Sequence, residues 1–149
     1  MTEAARTLAY CAGALLDQGR IVDRLSRRVT ATALILVLIS LPLGGRPSAA
    51  VVGMLLLIAS AGFAEAYCAV RVAFDAALFH RAASAPEGAG FVEIDAALTR
   101  LGLLPSGKDG RAPEVRVAGA RRLFTFQIAA MIVQALIVIA AAGLVLMGI

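Results

Sequence analysis

The stretch AAVVGMLLLIASAGFAEAYCAV, residues 49–70, runs straight into RVAFDAALFHRAA, residues 71–83, and the reading of these two pieces decides the fold. The first piece is apolar except for Glu65. At about 1.5 Å of helical rise per residue it covers the roughly 30 Å of a bilayer's hydrocarbon core, which takes about 20 apolar residues. The second piece carries Arg71, Asp75, His80 and Arg81 and has no such character. A single helix over 47–83 is therefore expected, with Pro47 in its first turn, a membrane-crossing half and a half that stands in water.

Working outward towards the N-terminus, LGGRP at 43–47 reads as a tight turn, because its glycines release one helix and its proline starts the next. Before it, 29–43 is uncharged and bounded by Arg27, Arg28 and Arg46. It is short against the roughly 17 to 25 residues of a usual span, and serves as one if the flanking arginines snorkel. Residues 1–28 form an amphipathic helix that leads into this first span, with Thr2 as its N-cap. Its apolar seam follows three- and four-residue steps through Leu8, Cys11, Leu15, Gln18, Val22 and Leu25. No charge-free core precedes a cleavage site here, so no secretory signal peptide is expected.

Working outward towards the C-terminus, SAPEGAG at 84–90 breaks the helix. Phe91, Ile94, Leu98 and Leu101 then recur at helical spacing, and LPSGKDGRA at 104–112 is a loop. Its Gly-Lys pair has neither the preceding strand nor the glycine spacing of a phosphate loop. Pro113 opens a last helix that becomes a third span over 123–149.

The chain as a whole agrees with this layout. Its 149 residues are 60% hydrophobic, with a mean hydropathy of +0.87, too apolar for an ordinary soluble domain. The net charge of +4 does not point to nucleic acid, because the basic residues flank apolar runs instead of forming a block. Arginines crowd 1–28 and the segment 84–122, and only Arg46 lies in the opposite loop. The positive-inside rule then places the N-terminus in the cytoplasm and the C-terminus outside. Alanine- and arginine-rich usage without tryptophan suits a bacterial source, hence a multi-pass protein of the bacterial inner membrane. The fold class expected is all-α and polytopic, with three transmembrane helices and amphipathic cytosolic helices.

Few side chains invite a chemical role. Glu65 is the only acid in any span, and Thr32 and Gln127 fall at a matching depth when counted from Arg28 and Arg122. Gln134 follows Gln127 by one heptad. These four are the candidate intramembrane polar site. An intramembrane carboxylate can bind a proton or cation, but the preferred reading is that Glu65, Gln127 and Gln134 lock helices together by hydrogen bonds. Arg71 and Asp75, four apart on the cytosolic half, are a candidate ion pair. Cys11 and Cys68 have no metal-ligand or disulfide spacing, and His80 is the sole histidine. No cofactor or metal site and no catalytic constellation is expected.

Small residues four apart, such as Ala49 with Gly53 and Gly62 with Ala66, allow close helix approach. The resulting expectation is a non-enzymatic accessory, assembly or scaffolding subunit, whose partners are the lipid bilayer and either another membrane protein or further copies of itself. The alternative is a homo-oligomeric transporter or channel that uses Glu65.

Overall fold

The structure, a computed structural model, describes residues 1–40, 49–86, 89–104, 107 and 109–146. Among these residues it is all helical, in the order α1 (Glu3–Asp17), α2 (Gly19–Ser40), α3 (Ala49–Ala83), α4 (Phe91–Arg100) and α5 (Pro113–Leu146). The turn expected at 43–47, the end of the first expected span and residues 147–149 lie outside the described residues.

Helix α3 is continuous over all of its 35 residues, with no proline inside it to break the run. Pro113 opens α5, where its missing N–H costs nothing. Thr2 caps α1 by accepting a hydrogen bond from the Ala5 N–H at 3.3 Å. The single helix expected over 1–28 is in fact two. It ends at Asp17, the Gln18 N–H closes on the Leu15 carbonyl at 3.2 Å, and the chain restarts at Gly19. Glycine is the weakest helix former after proline, so a break is cheapest there.

Packing divides the chain into two units, Met1–Gly19 with Arg71–Phe124, and Arg20–Val70 with Thr125–Ile149. The first unit has an apolar core. Ala9, Ala12 and Leu16 of α1, Val72, Ala76, Phe79 and Ala82 of α3, Ile94 of α4 and Ala120 of α5 are all buried in it. The rings of Phe79 and Phe91 meet edge to face, centroids 5.8 Å apart. The N-terminal helix and α4 thus pack on the 71–83 half of α3. The face that α1 uses is not the expected seam, however. Cys11 and Leu15 are exposed, while Ala9, Ala12, Gly13 and Leu16, one position along, are buried. Small side chains let α1 approach α3 closely, and close approach outweighs the greater apolar surface of the larger residues.

The second unit is built the other way round. Its fully buried polar side chains are Ser26, Glu65, Gln127 and Gln134, whereas Ile35, Leu38, Leu57, Phe63, Leu136 and Ile139 are exposed. Among the described residues two helices, Ala49–Ala83 and Pro113–Gly143, are long and apolar enough to cross a membrane. Their most apolar stretches are only 28% and 11% buried, so both turn most of that surface outward. Helix α2 does not meet the same measure. Its uncharged part among the described residues covers only 29–40, about 18 Å at helical rise.

Candidate functional site

Helix α5 supplies the frame of the polar cluster in the second unit. Gln127 and Gln134 are two helical turns apart, so they project from nearly the same face, and both are fully buried. Gln127 Nε2 donates to Glu65 Oε1 of α3 at 2.7 Å. Gln134 works one step further along and joins three helices. Its Nε2 donates to Thr30 Oγ1 of α2 at 2.8 Å and to the Ile58 carbonyl of α3 at 3.2 Å. Its Oε1 accepts from Ser26 Oγ of α2 at 2.8 Å. Thr30 Oγ1 in turn donates to the Ser26 carbonyl at 2.9 Å. The amide of Gln134 therefore has its donors and its acceptor satisfied without water.

Gly62 makes this approach possible. A Cβ at that position would run into Thr30 Oγ1 and stand 2.9 Å from Gln134 Nε2, so the α2 hydroxyl and the α5 amide meet over bare α3 backbone. Glu65 Oε2 is buried and has no hydrogen-bond partner among the described residues.

Thr32 is not part of this cluster. It is exposed, and its hydroxyl donates to the Arg28 carbonyl of its own helix at 2.9 Å. Two residues along a helix amount to about 200° of rotation, so the inward position at this level is Thr30. Ser26 precedes the expected span at 29–43, and Thr30 lies within it but two residues before the position that depth alone selects. The signal that identifies them is the small-residue face Ser26, Thr30 and Ala33, opposite Arg24 and Arg28. Ser60 likewise faces outward, donating to the Leu56 carbonyl at 2.8 Å.

The first unit holds the remaining polar contacts. Arg71 and Asp75 make no direct ion pair among the described residues: Arg71 is exposed, while Asp75 is half-buried. Burial pushes the Asp75 carboxyl above its ordinary value of 3.8, against the pull of the Arg71 charge. Glu3 and Arg6 pair locally on α1 at 3.6 Å, and two further polar contacts join residues far apart in sequence. His80 Nε2 meets Asp17 Oδ2 at 2.8 Å. The imidazole lies against Gly13, where a Cβ would come within 2.9 Å of the ring, and against the edge of Tyr10. Arg116 Nη2 donates to Asp95 Oδ2 at 2.6 Å, with both side chains largely buried. The same oxygen accepts from the Gly110 N–H at 2.9 Å, and the Arg116 guanidinium lies 5.0 Å from the Phe91 ring centroid. This pair ties α4, α5 and the end of the loop together.

A groove of about 400 Å³ runs between α3 and α4, lined by Phe74, Leu78, Ile94, Leu98 and Leu101, with Arg81 and Glu93 adding charge. Among the described residues no three His, Cys, Asp or Glu side chains gather as metal ligands would.

The chain matches no protein-family model, no curated protein and no solved structure. What the site does is therefore argued from its own chemistry. It holds donors and acceptors in mutual contact inside an apolar surround, an arrangement suited to joining helices.

Proposed function

We propose that the chain is a small non-enzymatic protein of the bacterial inner membrane that serves as an accessory, assembly or scaffolding subunit of a larger membrane complex. In this reading α2, α3 and α5 supply three spans, the N-terminus and the 84–122 segment lie in the cytoplasm, and the C-terminus lies outside. The arginine distribution supports that orientation. The observation that carries the reading is the reversed burial of the second unit. Its polar side chains are enclosed and mutually bonded, and its large apolar side chains face outward. A helix bundle in lipid is arranged in this way, because lipid gives apolar groups no reason to hide and polar groups every reason to pair. Gln134, Ser26 and Thr30 are bonded to one another, and Gln127 is bonded to Glu65, which favours a holding role over a transporting one. The packed first unit supplies a surface on which other proteins can assemble.

Native mass spectrometry after extraction in a mild detergent tests the proposal. Recovery of the chain with a heterologous membrane protein, or as several copies, is the expected outcome. Recovery of the monomer alone, under conditions that keep other complexes intact, sinks the reading.

One observation favours the alternative, a homo-oligomeric transporter or channel. Glu65 Oε2 is buried without a hydrogen-bond partner among the described residues, as the second oxygen of a proton- or cation-binding carboxylate would be between binding events. Flux into liposomes that falls in Glu65→Gln supports it. Equal flux in both proteins, or none in either, removes it.

A further inference from the structure

Helix α2 presents one continuous exposed face, formed by Ile21, Arg24, Leu25, Arg28, Thr32 and Ile35. Steps of three and four residues keep these positions within one side of the helix. The face changes character along its length: Ile21 and Leu25 flank the arginines, and no charge follows Arg28 on it. Arg24 and Arg28 form a basic band one turn apart, about 6 Å at helical rise, and neither guanidinium has an ion-pair or hydrogen-bond partner among the described residues. Arg27, by contrast, is spent: it points off this face and binds Asp23 Oδ1 at 2.7 Å. Beyond the band the surface is apolar. Ile35 is 54% exposed, Leu36 52% and Leu38 68%. Thr32 adds no competing polarity, because its hydroxyl is bonded to the Arg28 carbonyl.

We propose that this face of α2 is a binding site for an anionic phospholipid. Arg24 and Arg28 hold the headgroup phosphate, and an acyl chain lies along Thr32, Ile35 and Leu36. The inference rests on the reading of the second unit as membrane-embedded. The ligand chemistry follows from the order of the face. A guanidinium is planar and weakly hydrated and can give a phosphate two parallel hydrogen bonds. Two such groups without carboxylate partners make a phosphate cradle. A free anion would need only that cradle, and an acidic protein segment would need basic or polar groups to continue along the helix. Hydrocarbon directly beyond the cradle fits an amphiphile whose charge and chain are joined end to end. Basic residues next to a span attract anionic headgroups in general; here two arginines are unspent and aligned with an apolar track on the same helix.

The test uses the full chain in a mild non-ionic detergent, incubated with phosphatidylglycerol or with phosphatidylcholine of the same acyl chains, and reads retained lipid by native mass spectrometry. The wild-type protein is expected to retain phosphatidylglycerol in preference, and Arg24→Gln with Arg28→Gln to lower that preference about tenfold or more. Arg27→Gln removes one positive charge from a different face and is expected to leave the preference intact. Should the double glutamine variant fail to fold, Arg24→Lys with Arg28→Lys keeps the charge, removes the fork and is expected to lower the preference about two- to threefold. Equal retention of the two lipids by the wild-type protein overturns the proposal, as does an unchanged preference in both double variants. Displacement of the lipid by inorganic phosphate alone also overturns it. Alkaline extraction of membranes separates this failure from that of the embedding itself. A chain that stays in the pellet without anionic preference lacks the site; a chain released to the supernatant was never embedded.

Discussion

The two units solve the same problem, helix packing, with opposite materials. The largest fully buried side chains of the first unit are Leu16 and Val72, and those of the second are Gln127, Gln134, Glu65 and Ser26. In the first, helices meet through alanine, glycine and a few large apolar groups, a packing that apolar burial stabilises. In the second, large apolar groups are turned out and the helices meet through side-chain hydrogen bonds. Under the proposed membrane reading the contrast is that of two solvents, since polar pairing specifies contacts where the hydrophobic effect has little to contribute. One helix, α3, takes part in both: Val72, Ala76 and Phe79 in the apolar core, Glu65 and Gly62 in the polar cluster.

If the first unit depends on apolar burial, Leu16→Ala should have the largest effect. Leu16 is 2% exposed, and truncation of a buried leucine costs about 2–5 kcal/mol. The loss should be confined to the first unit, read as faster hydrogen exchange in α1 and in the 71–83 part of α3. Equal protection in the variant would mean that α1 is held mainly by its His80–Asp17 contact.

The second unit should be more sensitive to shape than to the loss of a hydrogen bond. Gly62→Val puts a branched side chain where even a Cβ meets Thr30 and Gln134, and overpacking of this kind costs about 1–3 kcal/mol. Gln134→Leu keeps most of the volume and removes the amide, leaving Ser26 and Thr30 to their own backbone. Hydrogen bonds between membrane helices contribute about 0.6 to 2 kcal/mol, so a loss of roughly 1 kcal/mol is expected. Denaturant titration of the detergent-solubilised protein, followed by circular dichroism, ranks the two. A larger loss for Gln134→Leu than for Gly62→Val would invert the account given of the polar cluster.

The sequence carries the helices more clearly than their faces. The continuous α3, its end near residue 83, the start of α4 at Phe91 and of α5 at Pro113 are written in breakers and periodic apolar residues. The buried side of α1 is less legible, because a seam chosen by the size of its apolar residues favours Leu15 and Cys11 over the alanines that make contact. Counting along the helices from the flanking arginines puts Glu65 level with Gln127, which do meet, but the same count without rotation selects Thr32 in place of Thr30. Spacing of four residues allows an Arg71–Asp75 pair without requiring it. The Asp95–Arg116 pair, 21 residues apart, leaves no periodic signature at all.

The smallest expected effect concerns Asp75 of the first unit. The Asp75 carboxyl is held above its ordinary value of 3.8 because burial disfavours its charged form more than Arg71 favours it. The folded chain therefore binds this proton more tightly than the unfolded chain does. Below the ordinary value Asp75 is protonated in both states and its contribution to stability is fully present. As pH rises through the raised value the folded state must carry a partly desolvated charge, and that contribution is lost. Asp75→Asn, which keeps the shape and cannot ionise, should thus be slightly more stable than the wild-type protein at neutral pH, by less than about 1 kcal/mol, and indistinguishable from it under acid conditions. Thermal unfolding of both proteins across this range reads the difference. A variant less stable at neutral pH would mean that the Arg71 charge outweighs burial, and that Asp75 belongs with the exposed ionic contacts of the first unit and not with its buried side.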